Sequence, residues 1–597
     1  MSRMLWAAVM LSALIASLLP AGRVVAQEPN QVTDLAVVQK DGYATVAWSP
    51  VDGATDYQIE RTPVNEVDEP SGASVITGLW RPDRQINQGF PTFADAGFLP
   101  GDRFQWRVRA RFEGEPQPYS EPVFGTTLPQ WGDPGVPGEN LRTQWEETGG
   151  AEFTSDVNEY AYTAAIDAAS DRIRVVEIGR TVLNRPINMF IIGYPAPSGS
   201  AKQIARSQRS VLVNCNVHGN EPSGREGCLI LARELAFGND PRTIDILSNI
   251  TVLIVPTING DGRAANTRGN STGQDLNRDF SLLRQPETFA FVQMLRDYQP
   301  LSVYDGHEFG NSRAGDLPML PPRHLNVSQG IFDLALNMLE VRMYGQGAVD
   351  GWWPCPYGCT GGGNVGLSQE TILRNTLGLK NMVGMLLEAR SAGGVTRPSE
   401  AGNAQVNRRR KGYSQLWTFQ TFLDHVRANR NAFAQARREA IQFQTSNTGR
   451  IVFRGSRTIA AFPAPHPGQD PPPEENPSPD QILEDPPCGY LLTEEEYNGP
   501  RTDGATTVSE RIRAHGWRVV KRQAEGYLVP LAQAERGLIP LLLDAQAAEE
   551  WAGVDGDRMY PPPGWPEGEP VPDQACRFGI SLQSAVRPAY DLTYDTD

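Results

Sequence analysis

The chain has 597 residues, of which 40% are hydrophobic and 21% charged, enough apolar material for three or four domains. Asp and Glu number 70 against 54 Lys and Arg, a formal charge of −16, which argues against a nucleic-acid partner and for a solvated protein. The charge balance bears on solubility and leaves the substrate open.

Arg3 gives the N-terminus a positive start, Met4 to Leu19 is an apolar run, and Val24-Val25-Ala26 puts small residues before Gln27. That is the pattern of a signal peptide, residues 1–26, removed after Ala26. The run is shorter than the roughly 20 residues a membrane span needs. Removal takes away Arg3 and Arg23 and no acid, moving the charge to −18. The expectation is a secreted protein, extracellular or periplasmic, with no membrane span.

Residues 30–128 read as an all-β module of short strands separated by turn signals. Thr45-Val46-Ala47-Trp48, Tyr57-Gln58-Ile59-Glu60 and Phe104-Gln105-Trp106-Arg107-Val108 are its clearest strands. With Trp48 and Tyr57 at the strand-B and strand-C positions, the module resembles a fibronectin type III sandwich. Leu99-Pro100-Gly101 before Phe104 looks like the tyrosine corner with its tyrosine replaced. The resemblance implies an adhesive or positioning role toward a cell-surface or matrix ligand.

From 140 to 449 apolar strands alternate with amphipathic helices, the signature of an α/β domain. Ser210–Val217, Ile250–Pro256, Leu301–Tyr304 and Met382–Leu387 read as strands, Gly224–Phe237 and Pro286–Tyr298 as helices. Residues 450–488 form a Pro-rich linker, and 489–597 a small mixed α/β region of open role, with a helix over Thr507–His515. Leu538–Leu543 reads as a strand that Pro540 would confine to a sheet edge. Of the six cysteines, Cys355 and Cys359 suit a small disulfide loop, and Cys488 and Cys576 bracket the C-terminal region as a pair. Cys215 and Cys228 fit either a strand-to-helix bridge or two buried thiols.

Four motifs in the middle of the chain carry the chemistry. His218-Gly219-Asn220-Glu221 follows a strand and precedes a helix, so two ligands three residues apart can reach one ion. Gly219 there permits an unusual backbone. His307, in Asp305-Gly306-His307-Glu308, lies just past Leu301–Tyr304, where strand ends of open α/β sheets gather ligands. Catalytic zinc takes three nitrogen or carboxylate ligands plus water, and His218, Glu221 and His307 fit that set. A lone His-x-x-Glu is common by chance, and His307 alone reads equally as a buried imidazole with Asp305 as partner.

Asn277 and Arg278 follow Asp275 in a polar loop, and an Arg fork with an added amide suits a terminal carboxylate. In isolation an ion pair of Arg278 with Asp275 or Asp279 competes with that reading. Arg268 in Thr267-Arg268-Gly269-Asn270 can polarise a carbonyl beside zinc, with Arg263 the other candidate. Glu388, at the end of Met382–Leu387, is a general base next to zinc-activated water or else a partner for Arg390.

In this order the motifs resemble the zinc metallocarboxypeptidase family, which includes carboxypeptidases A and B and the regulatory carboxypeptidases. The resemblance spans about half the chain and includes Gly179-Arg180-Thr181 with Asn184-Arg185-Pro186. It implies an α/β domain with a mixed sheet flanked by helices and one zinc on His218, Glu221 and His307. It also implies Glu388 and Arg268 as catalytic residues and Asn277 and Arg278 as the carboxylate clamp. The substrates would be peptides or proteins with a free C-terminal carboxylate. A substrate-covering tyrosine, which the family often places roughly twenty residues before the glutamate, has no counterpart here; Tyr344 and Tyr357 stand nearest. Two other readings remain at this stage: a zinc amidohydrolase on cell-wall peptides or N-acyl amino acids, and an inactive surface-binding protein.

Overall fold

Strand-forming runs of alternating burial build the N-terminal unit. The computed structural model describes residues 30–578 apart from 41, 82–90, 97–101, 127–137, 139–140, 198, 311–314, 357–366, 393–396, 401, 460–474, 500–505, 523–524, 548–553, 555 and 561–575. The signal segment thus lies outside the described residues. Strands β1 (Ala36–Lys40), β2 (Tyr43–Ala47) and β5 (Thr92–Ala96) form one antiparallel sheet. The other contains β3 (Asp56–Pro63), β4 (Val75–Trp80), β6 (Arg103–Phe112), β7 (Glu115–Pro116) and β8 (Val123–Thr126). Along β6, Phe104, Trp106, Val108 and Ala110 are buried while the residues between them are half-exposed, so one face meets the other sheet. Val46 and Phe93 from the first sheet and Ile59 and Trp106 from the second share one apolar core.

The central unit is an eight-stranded sheet built from β9 (Ile173–Arg180), β10 (Pro186–Ile192), β11 (Ser210–Cys215), β12 (Thr251–Val255), β13 (Ser302–Phe309), β14 (Leu317–Leu320), β15 (Pro354–Pro356) and β16 (Val383–Arg390). Their order is β15-β14-β16-β13-β11-β12-β10-β9. The four middle strands, β16, β13, β11 and β12, run parallel, and their fully buried apolar runs are what a sheet covered on both faces requires. Helices α1 (Asp156–Ala169), α2 (Ser223–Phe237), α3 (Pro286–Tyr298), α4 (Leu373–Leu379) and the 43-residue α5 (Ala404–Ser446) accompany it. After β12 the chain crosses back to lay β13 on the other side of β11, which opens a crevice at the C-terminal ends of β11 and β13.

Two strand ends differ from the sequence reading. β13 continues to Phe309 and β16 to Arg390, so His307 and Glu388 stand inside strands rather than past them. The parallel ladder pairs His307 with Glu388 directly. Within 450–488, β17 (Ile451–Val452) pairs with β18 (Ile482–Leu483), so the ends of that stretch pack. Beyond it β19 (Gly489–Leu492), β20 (Val520–Arg522), β21 (Gly526–Pro530), β22 (Asp557–Tyr560) and β23 (Arg577–Phe578) form an antiparallel sheet with α6 (Val508–His515) beside it. Leu538–Leu543 is not a strand but carries the short helix α7 (Ile539–Leu543), with Pro540 in its first turn, where the missing N–H costs nothing.

Cys488 and Cys576 form a disulfide with Cα atoms 6.0 Å apart. Cys355 is disulfide-bonded, and Cys359 lies outside the described residues. Cys215 and Cys228 are buried free thiols with sulfurs 2.8 Å apart. Among the described residues no helix is long and apolar enough to cross a membrane.

Candidate metal centre

The turn after β11 begins at Asn216, in the left-handed conformation that asparagine tolerates. Its side-chain amide donates to the carbonyls of both His218 (2.7 Å) and Glu221 (3.3 Å), so one residue fixes both ends of the motif. Gly219 does not adopt a positive φ; what it permits is close approach. A methyl group there would collide with the Gly262–Arg263 backbone, which passes against the turn.

The three expected ligands converge. His218 Nδ1 is 2.8 Å from Glu221 Oε1, His307 Nδ1 is 2.9 Å from Glu221 Oε2, and the two Nδ1 atoms are 3.1 Å apart. All three residues are buried, and His218, Glu221 and His307 are the one such cluster among the described residues. The outer nitrogens decide the tautomers. His218 Nε2 meets Asp275 Oδ1 and His307 Nε2 meets Asp305 Oδ2, each at 3.1 Å. An ionised carboxylate only accepts, so each neutral ring carries its hydrogen on Nε2 and aims the Nδ1 lone pair inward. Two imidazole lone pairs and a carboxylate facing one point are the donor set zinc prefers.

Burial works against a charged imidazolium, yet Glu221 and Asp275 hold the His218 pKa above its usual value. Burial likewise opposes the Glu221 carboxylate, but the facing histidines bring its pKa down well below the carboxylate range.

Arg268, half-exposed, donates through Nε to Asp275 Oδ2 (3.1 Å), and its Nη1 lies 3.2 Å from His218 Nδ1 and 3.4 Å from Glu221 Oε1. Arg263 instead donates to the Gly219 carbonyl and Asn266, so Arg268 is the arginine that reaches the ligands. Glu388 is buried beside His307, and its Oε2 has no hydrogen-bond partner among the described residues. Burial pushes its pKa up to about 8, His307 opposing and Glu221 adding to the rise.

Leu276–Arg278 is a single 3₁₀ turn started by Asp275, which accepts from the Asn277 N–H at 2.8 Å. Asn277 is buried; its Oδ1 accepts from the Leu373 N–H (2.9 Å) and its Nδ2 lies 3.3 Å from His307 Nε2. Arg278 is half-exposed, and among the described residues no carboxylate pairs with it. Asp275 is in contact with His218 and Arg268, and Asp279 with Arg284 and Thr288, while the Arg278 charge still acts on Asp275 from a distance.

Neighbouring carboxylates hold this arrangement. Asp275 and Asp305 orient the histidines, and the spacing of Asp305 two before His307 was the available signal. Glu308 accepts from the Ser223 N–H at the start of α2 and from Lys411, while its own N–H donates to Glu221 Oε2. Tyr344 is sealed in the core, and Tyr357 lies outside the described residues. His324, His425 and His515 are buried away from the centre, and His466 lies outside the described residues.

Fold and site together define an α/β protein with a His–Glu–His metal centre at its switch point. Residues 159–309 match the zinc carboxypeptidase family, so the chain carries a zinc carboxypeptidase domain whose cofactor is one zinc ion. Carboxypeptidase 2 of Trichophyton rubrum is 28% identical over 215 residues, 33% of this chain and 40% of the relative. Carboxypeptidase D of Homo sapiens is 29% identical over 188 residues, 24% of this chain and 14% of the relative. The matched stretch thus spans well under two thirds of either relative. A metallo-carboxypeptidase structure from Pseudomonas aeruginosa superposes with a TM-score of 0.36 at 16% identity, covering 47% of this chain and 70% of that one.

Proposed function

We propose that the chain is a zinc-dependent carboxypeptidase that hydrolyses the C-terminal residue from peptides. The observation that carries this reading is the inward convergence of His218, Glu221 and His307 with the unpartnered carboxylate oxygen of Glu388 beside them. A zinc ion held by the three ligands would acidify a water and polarise the scissile carbonyl. Glu388 takes the water's proton and delivers it to the leaving amine, a role open to a buried carboxylate whose Oε2 has no hydrogen-bond partner among the described residues. Arg268 faces the ligands with an exposed guanidinium and stabilises negative charge growing on the carbonyl oxygen. Arg278 supplies the fork for the substrate's terminal carboxylate, and the Asn277 amide adds a donor on the ligand side.

The test is hydrolysis of peptides with free or amidated C-termini, with and without a zinc chelator, alongside Glu388→Gln. Chelator-sensitive release of single residues from free-carboxylate peptides alone, lost in the variant, is the expected result. Cleavage restricted to N-acyl amino acids or cell-wall peptides would move the reading to an amidohydrolase. Absence of stoichiometric zinc and of any cleavage would leave a binding protein.

Residues 1–26 serve in this reading as a signal peptide and 30–128 as a fibronectin type III-like module for a surface or matrix ligand. The Cys488–Cys576 disulfide supports export, since such bonds persist in oxidising compartments. Within this division 140–449 is the peptidase unit, 450–488 the connection and 489–597 the C-terminal region.

A further inference from the structure

The C-terminal region meets the peptidase unit at the segment that follows Asn277 and Arg278. His515, the last residue of α6, is buried and donates from Nε2 to the Ser281 carbonyl at 3.0 Å. Burial and the neighbouring Lys380 hold its imidazole well below its usual pKa, so the ring is neutral and has one N–H to give. The preceding residue, Ala514, packs into the cluster that contains Leu276, Phe280 and Leu373. From the same region the Thr506 hydroxyl donates to the Leu283 carbonyl at 3.4 Å.

A second tie reaches helix α4, whose first residue holds the Asn277 side chain. Lys380, buried at the end of α4, pairs with Glu535 at 2.6 Å and lies 3.4 Å from His515 Nδ1. Glu535 also accepts from the Trp517 indole, and the Trp517 ring stacks on His515 at 4.7 Å. Asn381 donates to the Ala534 carbonyl at 2.5 Å. Helix α4 begins at Leu373, whose N–H fixes the Asn277 side chain, and Phe280 N–H donates to Thr371 just before it. The clamp segment and the element that orients Asn277 are thus both anchored to one buried group from the C-terminal region.

We propose that the C-terminal region is a clasp for the carboxylate-binding segment, with His515 as its positioning residue. The kinetic part rests on the carboxypeptidase reading above. A segment with one 3₁₀ turn gains little rigidity from its own ladder, so its placement follows the groups that grip its carbonyls. His515 touches no reacting atom; it acts through Ser281 on where Arg278 is presented.

The test uses the full chain with His515→Leu and His515→Gln, whose amide can replace the Nε2–H. The leucine variant should raise KM for a free-carboxylate peptide roughly tenfold with kcat within about twofold, and glutamine should restore KM. Hydrogen–deuterium exchange should quicken over residues 276–283 in the leucine variant and return to the wild-type rate in the glutamine one. An unchanged KM, a kcat that falls in step with KM, or a glutamine variant that behaves like leucine overturns the clasp. If the wild-type chain cleaves no peptide, the carboxypeptidase reading fails and exchange alone decides: quickening confined to 276–283 supports the clasp and its absence overturns it. Should the leucine variant not fold, Asn381→Gly cuts the Ala534 tie, suits the left-handed backbone there and is read by the same outcomes.

Discussion

Glu388 is sealed beside His307 with one oxygen unpartnered, and burial lifts its pKa from 4.5 to about 8. Between those values the folded, metal-free protein binds a proton that the unfolded chain has released, so stability is fully present below the lower value and is lost as pH rises through the upper one. Glu388→Gln removes that titration. Urea unfolding of the metal-free pair should therefore show the variant gaining several kcal/mol over wild type between about pH 5 and about pH 8. A constant difference across that range would mean the carboxylate is solvated or paired. Asp305 permits a second test at this scale, because it fixes the tautomer that turns His307 Nδ1 inward. Asp305→Asn keeps the shape and loses the charge, and should weaken zinc binding roughly 10–100-fold in a chelator competition. Equal affinity would show the orientation to be set by packing alone. The His218, Glu221 and His307 set was legible from residue type and order. Asp305 was legible as a partner of His307 but only as the alternative to ligation, because hydropathy ended the strand at Tyr304 and hid that both residues share its face.

Elements place these side chains through close backbone approach as much as through regular structure. The His218–Glu221 turn lies against the Gly262–Arg263 backbone, and Gly219 N–H donates to the Arg268 carbonyl at 3.3 Å. The short helix Gly260–Ala265 and the loop that follows it therefore supply the back wall of the ligand turn and the arginine that faces it. Gly219→Ala must push that loop away, so the expected outcome is zinc content well below stoichiometric with far-UV circular dichroism unchanged. Full occupancy in that variant would show that the loop yields without cost. Sequence pattern marked the strands and helices of the central sheet because their apolar runs are long and periodic. It failed where polar side chains are buried inside strands, as at Asp305, His307 and Glu388, since burial there is set by the site and not by hydropathy. It also failed at Leu538–Leu543, where a short apolar run has no period to separate strand from helix and Pro540 decides by sitting in a first turn.

On the scale of the whole molecule the units are not beads on a string. Tyr43 and Ala94 from the N-terminal sheets and Tyr490 and Leu541 from the C-terminal region belong to the same apolar cluster as Val213 and Leu387 of the central sheet. The N-terminal contact is also polar. Ala94 N–H donates to the Gly351 carbonyl at 2.8 Å, and its own carbonyl accepts from Arg397 at 2.5 Å, 303 residues away. Arg397 is buried, lies over the Phe93 ring at 4.7 Å and forks onto Asp316 through Nε (3.0 Å) and Nη2 (2.7 Å). Asp316 in turn holds Arg390, the last residue of the strand that carries Glu388. No sequence pattern pairs a lone arginine with a strand carbonyl three hundred residues earlier, so the sequence marks residues 30–128 only as an all-β module. Removing one partner from a buried ion-pair network costs about 3–5 kcal/mol, because the remaining charges keep their desolvation penalty. Calorimetry of the full chain should therefore show the N-terminal and central units melting together, and Arg397→Met should lower stability by about that amount and split off an earlier transition. Two transitions already present in the wild type would mean that the apolar contact at Tyr43 and Trp352, 5.1 Å between ring centres, does not couple the units and that Arg397 serves the Glu388 strand alone.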